Sequence, residues 1–142
     1  MKKSHHRLEA WKRALEFVKT VYTTTSTFPK TELYGLTSQM RRAAVSVPSN
    51  IAEGAARETT AEFLRFLYIA RGSLAELETQ LLISHDLGYL KHGESLKADI
   101  YQVSALLDGL IRSLKARNPK AQEEIPEYDA DWPTADVQAP NL

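Results

Sequence analysis

The segment from Tyr34 to Gly54 constrains the fold most, because its apolar residues recur at the spacing of an α-helix and most of its other residues are small. Steps of four, three, four and four residues predict one buried face, made by Leu36, Met40, Ala43, Val47 and Ile51. Short side chains on the other faces allow neighbouring helices to approach closely on two sides. We therefore expect this helix to lie inside an assembly larger than a single four-helix unit.

Three other segments show the same helical spacing, at about residues 8–24, 60–87 and 94–117. Four helices of about 30 Å joined by short connections predict an all-α, up-down-up-down four-helix bundle protomer. The predicted seams of these three helices are, in chain order, Leu8, Trp11, Leu15, Val18 and Tyr22; Phe63, Leu67, Ala70, Leu74, Leu77 and Leu81; and Leu96, Ile100, Val103, Leu107, Leu110 and Leu114.

Local signals place the ends of the middle helices. Phe28-Pro29 disfavours helix, because a residue before proline avoids the α region. We therefore expect the second helix to begin near Thr31 and to end with Gly54 as its C-cap. Thr59 and Glu62 have the spacing of a capping box, which predicts the start of the third helix.

The third helix carries more apolar residues than one bundle is expected to cover. Seven of the eight residues from Phe63 to Ala70 are apolar, so several lie off the predicted seam. Because a helix in a bundle buries one stripe, we expect a second subunit to cover the excess, which predicts a ring-forming homo-oligomer. The predicted subunit interface consists of Ala44, Val45, Ala52, Leu64, Phe66, Tyr68 and Ile69.

Charge divides the chain into two parts although its formal net charge is zero. The predicted bundle domain, residues 1–118, holds 17 Lys/Arg and 12 Asp/Glu, a net +5. The predicted acidic C-terminal tail, residues 119–142, holds six Asp/Glu and one Lys, a net −5, with prolines and no periodic apolar stripe. Tyr128 and Trp132 are its large anchors, and we expect them either to hold the tail on the basic bundle or to bind a partner protein.

The sequence lacks the residue patterns of common enzyme classes. It has no cysteine, which excludes disulfides and thiolate chemistry. It has no glycine-rich phosphate loop, no His-Glu-x-x-His motif and no Glu-x-x-His pair of the kind that binds two iron ions in a bundle. We therefore predict a protein without catalytic activity, cofactor or metal. We also expect a cytoplasmic location and no membrane association, since no apolar run resembles a secretory signal or a bilayer span.

A polar cluster in the second helix has two interpretations. A proline inside a helix leaves the carbonyl four residues earlier without its donor, and nearby hydroxyl and amide groups can satisfy it. We interpret this cluster as structural, with a ligand or partner site as the alternative; its members are Ser46, Pro48, Ser49, Asn50 and Glu53.

Seven basic residues are candidates for binding nucleic acid. Within one protomer Arg41 or Arg42 could pair with an acid of the third helix, whereas in a ring each would become a circle of positive charge. Lys12, Arg13, Lys19, Arg65 and Arg71 could extend that surface. A ring would add the +5 of each bundle to that of its neighbours and so create a field that attracts phosphate backbones without sequence preference.

The helical segment from Tyr34 to Gly54 resembles the 23S-rRNA intervening-sequence protein family, also called the four-helix bundle protein family. Further motifs that carry the resemblance are Trp11, Phe28-Pro29, Glu32–Leu36, Glu62–Leu81 and Leu87–Leu90. The resemblance covers about residues 8–115 and leaves the acidic tail outside. It implies a four-helix protomer in a homopentameric, barrel-like ring. It also implies a relationship to the accessory variability determinant of diversity-generating retroelements, a basic pentamer that binds nucleic acid and a reverse transcriptase.

Two hypotheses of different class follow. In the first, a non-enzymatic pentameric scaffold binds RNA or DNA backbones and serves as an accessory to a partner such as a reverse transcriptase or another nucleic-acid enzyme. In the second, a protein–protein adaptor presents its tail, through Tyr128 and Trp132, to a partner and has no nucleic-acid role. In the first hypothesis a docked acidic tail would screen the basic surface.

Overall fold

The computed structural model describes residues 4–90 and 93–122, and these form four α-helices and no strand. The helices are α1 (Glu9–Thr25), α2 (Leu36–Ala55), α3 (Thr60–Asp86) and α4 (Glu94–Arg117). Three short 3-10 helices flank them, at Ser4–Arg7, Lys30–Glu32 and Pro119–Gln122. The predicted all-α class is confirmed. Among the described residues, no helix combines the length and the apolar content that crossing a membrane would require.

Capping interactions explain the ends of α3. Thr59 is extended, and its Oγ1 accepts a hydrogen bond from the backbone N–H of Glu62 at 3.2 Å, as the capping-box pattern predicts. At the other end Gly88 has φ +77°, and the N–H of Tyr89 donates to the carbonyl of Ser84 at 2.9 Å. Such a left-handed residue satisfies the last carbonyl groups of a helix, and glycine adopts it without strain.

The start of α2 differs from the prediction. Residues 30–32 form a 3-10 turn, and α2 begins only at Leu36, whose backbone N–H donates to Glu32 Oε2 at 2.8 Å. The phenol of Tyr89 donates to the other carboxylate oxygen of Glu32 at 3.4 Å. Desolvation and then the negative charge of Glu32 raise the pKa of Tyr89 above its ordinary value. Glu32 therefore caps α2 and contacts the segment between α3 and α4.

The core contains the predicted seams of α2 and α3 nearly complete, but a different face of α1. On α1 the buried residues are Ala10, Ala14, Phe17, Val21 and Thr25, while Leu15 and Tyr22 of the predicted seam are exposed. Two apolar stripes lie side by side on this helix, and the one with smaller residues faces the bundle. On α4, Ile111 is buried, whereas Leu110 and Leu114 are partly buried at the edge of the core.

Each helix packs against its neighbours in sequence, and α4 also packs against α1. Met40 meets Ser84, Ser46 meets Ser73, and Gly54 meets Phe66, so α2 and α3 run in opposite directions. Gly54 lies inside α2 and is buried; the C-cap is Ala56, so the predicted capping role of Gly54 is wrong. A Cβ at this position would lie 2.8 Å from Phe66 Cβ and 2.9 Å from Phe63 Cδ2. Glycine is present because α2 and α3 approach closely here.

We predict that Gly54→Ala destabilises the protein by about 1–3 kcal/mol, because the new methyl group must push α3 away. The measurement is the midpoint of urea unfolding followed by circular dichroism. Gly72→Ala is the matched control, since no heavy atom lies within 4 Å of a Cβ built there. That control should be more stable by roughly 0.5–1 kcal/mol, because alanine favours helix. Equal shifts in the same direction would contradict the close approach at Gly54.

Candidate functional site

A shallow groove of about 620 Å³ lies where the end of α1, the beginning of α2 and the preceding turn meet. We call it the α1–α2 groove, and its walls are Tyr22, Leu33, Tyr34, Thr37, Ser38, Arg41, Arg42, Val45 and Ser46. Several of these side chains are large, apolar or aromatic, and exposed, and Tyr34 is 95% exposed. The groove therefore brings the predicted nucleic-acid residues Arg41 and Arg42 next to the predicted interface residue Val45.

Arg41 is fixed against α1. Its guanidinium lies over the ring of Tyr22, 4.6 Å from the centroid, and its Nε donates to Thr25 Oγ1 at 3.0 Å. A second guanidinium nitrogen reaches the Tyr22 carbonyl at 3.5 Å. Arg41 thus stabilises the α1–α2 contact through the aromatic ring and neutral acceptors. The predicted pairing of Arg41 with an acid of the third helix does not occur.

The other predicted basic residues divide into paired and unpaired groups. Lys12 pairs with Glu9 at 3.2 Å, and Lys19 pairs with Glu16 at 3.0 Å. Across helices, the structure pairs Arg13 with Asp99 at 3.8 Å and Arg71 with Asp108 at 3.7 Å. Arg42 and Arg65 are exposed, and no carboxylate of the described residues lies within 4.0 Å of either. Four of the seven residues are therefore paired with acids of the same protomer.

The polar cluster of α2 connects this helix to α3. Ser46 Oγ and Ser73 Oγ are 2.8 Å apart, and Asn50 Nδ2 donates to the Ser46 carbonyl at 2.7 Å and to its hydroxyl at 2.9 Å. The Ser46–Ser73 bond links the two helices, the Asn50 bonds lie within α2, and none of the three reaches the Ala44 carbonyl that Pro48 leaves free. Ser49 is exposed, and Glu53 forms an ion pair with Arg57 at 3.0 Å. The cluster serves the α2–α3 contact.

Two predicted interface residues are corrected to core residues. Ala44 and Leu64 are completely buried within the protomer, so a second subunit cannot reach them in this fold. Phe66 is covered by the guanidinium of Arg57 at 4.9 Å, and Ala52 is partly buried. Tyr68 packs against the core beneath Arg71 and Lys115. Val45 and Ile69 remain 40% and 45% exposed.

Cations are concentrated in three stretches of the described chain, at the beginning of α1, around the α2–α3 connection and at the end of α4. The last 3-10 helix contacts α3 and α4, and the first contacts α1 and α2. We define the basic end as residues 4–13, 53–66 and 111–122, which hold nine Lys/Arg and four Asp/Glu, a net +5. The rest of the described chain has six Lys/Arg and eight Asp/Glu, a net −2. Of these nine cations, the sequence analysis assigned Lys12, Arg13 and Arg65 to a binding surface. It missed the other six, which are Arg7, Arg57, Arg112, Lys115, Arg117 and Lys120.

The family comparison agrees with this helical architecture. Residues 6–109 match the family described as 23S rRNA-intervening sequence protein. The chain belongs to this family. Comparison with curated proteins gave no match.

The family match ends at residue 109, within α4. Four cations of the basic end, at positions 112, 115, 117 and 120, lie beyond the matched range, and so does the acidic tail. Tyr128 and Trp132 lie outside the residues that the structure describes. This part of the intervening-sequence protein is therefore interpreted from its own residues.

The histidines at the N-terminal end make ring contacts. His6 is stacked on Trp11, with ring centroids 5.1 Å apart, and His5 meets the same indole edge-on at 5.0 Å. Among residues 4–90 and 93–122, no group of three His, Asp or Glu side chains has the arrangement of a metal site.

We predict that Thr25→Val destabilises this intervening-sequence protein by about 1–2 kcal/mol, because the partly buried Arg41 Nε would lose its acceptor. Thr79→Val is the control: its hydroxyl also donates to the carbonyl four residues earlier, but it is exposed and accepts nothing from an arginine. Urea unfolding of both variants measures the difference. Equal losses would show that Arg41 adds nothing to the α1–α2 contact.

Proposed function

We propose that this protein is a non-enzymatic, homopentameric four-helix bundle scaffold that binds RNA or DNA backbones as an accessory to a nucleic-acid enzyme. The observation that carries the nucleic-acid proposal is the basic end, where nine cations stand against four acids within the defined residues and against a fifth, Asp99, that pairs with Arg13 from outside them. Phosphate backbones are attracted by such a charge excess whatever their sequence. Membership of the 23S rRNA-intervening sequence protein family supports a role near RNA.

We propose an up-down-up-down arrangement for the four helices. Contacts between α1 and α2 join Tyr22 to Arg41, and contacts between α3 and α4 join Tyr68 to Lys115. Tyr22 is late in α1 and Arg41 is early in α2, whereas Tyr68 is early in α3 and Lys115 is late in α4. Both contacts, like those between α2 and α3, are therefore consistent with consecutive helices that run in opposite directions. Four helices linked by short connections favour this order.

We propose that the subunits meet through the outer face of α1 and α2. This face carries exposed apolar side chains next to small ones, in particular Leu15, Tyr22, Leu33, Tyr34 and Val45. Apolar patches of this kind on a soluble protein are typical of subunit contacts. The excess on α3, from which the sequence analysis inferred a ring, is mostly covered within the protomer, so α1 and α2 now carry the argument.

Cyclic symmetry would multiply the basic end. When bundles stand side by side around an axis, equivalent ends lie on the same rim. Five ends at +5 give a rim of about +25, and its field steers nucleic acid toward one side of the ring. Exposed arginines and lysines, rather than a fitted pocket, make the contacts, so binding to backbone without base selection is expected. The proposal includes a cytoplasmic location and no catalytic step.

We predict that light scattering gives a mass of about 80 kDa, five chains of 16.0 kDa each, and that Val45→Glu lowers it. A carboxylate placed in the apolar contact would be buried without a partner, which costs several kcal/mol. Ala105→Glu is the matched control, because this exposed alanine lies on α4, away from the proposed contact. A mass of one chain for the unmodified protein would remove the ring.

We predict that Arg112→Glu with Arg117→Glu weakens binding of a fluorescein-labelled, 20-nucleotide single-stranded RNA at least about tenfold in 50 mM salt. The salt slope of the affinity should fall by about two, roughly one for each lost phosphate contact. Lys30→Glu with Lys97→Glu makes the same charge change away from the basic end and serves as control. Fluorescence anisotropy measures both. Equal weakening by the two pairs would place binding outside the basic end.

An adaptor function is the alternative. In that case the purified ring would carry no nucleic acid, with a low ratio of absorbance at 260 and 280 nm. It would capture one protein through Tyr128 and Trp132, and removal of residues 123–142 would abolish the capture.

A further inference from the structure

The basic end holds cations that no described carboxylate neutralises. Within residues 4–90 and 93–122, no acid lies within 4.0 Å of Arg7, Arg65, Arg112, Arg117 or Lys120. Arg112, Arg117 and Lys120 are also exposed to solvent. Their charges lie at the C-terminal end of α4, where the helix dipole is negative, so the helix tolerates them well. An anionic ligand of matching extent would find its cations already in place.

The chain itself supplies such an anion directly after the last described residue. Residues 123–142 contain six Asp/Glu and no Lys or Arg, a net −6 against the +5 of the basic end. The 3-10 helix Pro119–Gln122, from which they continue, packs against α3 and α4. Five residues span at most about 17 Å, so Glu123, Glu124 and Glu127 start within reach of the basic end. A short tether gives these acids an effective concentration of about millimolar.

The aromatic residues of this segment match contacts found at the basic end and directly beside it. Arg57 lies over Phe66 at 4.9 Å, and Arg71 and Lys115 lie over Tyr68 at 4.7 and 5.3 Å. Tyr128 and Trp132 alternate with acids in the segment. Such residues can place rings on exposed guanidinium groups while their neighbours pair with the charges.

We propose that residues 123–142 dock on the basic end of the same bundle, with their carboxylates beside Arg112, Arg117 and Lys120. The docked segment occupies the surface that phosphate groups would use, so it competes with nucleic acid. The docking follows from charge and tether length, whereas its regulatory consequence rests on the proposed function. The segment therefore limits backbone binding to ligands that outcompete a tethered anion.

Trp132 reports the docking in the full chain without any nucleic acid. In a Trp11→Phe variant it is the sole tryptophan. We expect its acrylamide quenching constant in 50 mM salt to be at least about twofold below that of the free peptide 123–142, and to approach the peptide value near 0.5 M salt. Arg112→Glu with Arg117→Glu should abolish the protection, whereas Lys30→Glu with Lys97→Glu should preserve it.

A Trp132 quenching constant equal to that of the free peptide at every salt concentration would overturn the docking. Loss of protection in the Lys30 and Lys97 variant alone would also overturn it, because the segment would then bind elsewhere. If Trp11→Phe impairs folding, the difference in quenching between the unmodified chain and its Trp132→Phe variant gives the same information.

Neutralising the segment tests competition. The full chain with Glu123→Gln, Glu124→Gln, Glu127→Gln, Asp129→Asn and Asp131→Asn should bind the labelled RNA about 5–10-fold more tightly in 50 mM salt, with the difference vanishing near 0.3 M. Unchanged affinity together with a protected Trp132 would overturn the competition. A protected Trp132 in a protein that binds no RNA would refute the proposed function and leave the docking. Tight RNA binding with an unprotected Trp132 would refute the docking and leave the proposed function.

Discussion

The close contact between α2 and α3 determines how the rest of the molecule is arranged. At one end of this contact Gly54 lets the backbone of α2 approach Phe63 and Phe66, and in the middle two serine hydroxyls meet at 2.8 Å. Helices separated by small side chains sit closer than helices separated by leucines. The remaining faces of α2 and α3 then receive α1 and α4, and the large side chains of the core fill the space between the four helices.

The sequence predicted elements whose signals are local. The range of α4, Glu94–Arg117, was predicted correctly because its apolar repeat is regular, and the capping box placed the start of α3. The face of α1 was mispredicted because two apolar stripes overlap on that helix. Large side chains dominate a periodicity argument, yet the small Ala10 and Ala14 are buried in the core while the larger Leu15 and Tyr22 are exposed.

The candidate site was predictable only in part, because charge pairing depends on which helices become neighbours. Lys12 and Lys19 pair with acids three residues earlier, a spacing visible in the sequence, whereas the pairs Arg13–Asp99 and Arg71–Asp108 require the packed bundle. The surplus of apolar residues on α3 was real, but Leu64 joins the core and Arg57 covers Phe66. Cations of the same protomer therefore cover aromatic rings of α3 that the sequence analysis expected a second subunit to cover.

A net charge of zero conceals how this molecule interacts with anions. Helix α3 has 27 residues and is thus about 40 Å long, several times the Debye length of roughly 8–10 Å at physiological salt. The two ends of the bundle are consequently screened from each other, and a ligand at one end responds to the charges there. The acids of residues 123–142 bring the net charge of the chain to zero. They reduce the electrostatic potential at the basic end only if they lie close to it. We therefore expect the position of one short acidic segment to decide whether the basic end attracts phosphate. That segment continues directly from the 3-10 helix Pro119–Gln122, so its first acids start beside these cations.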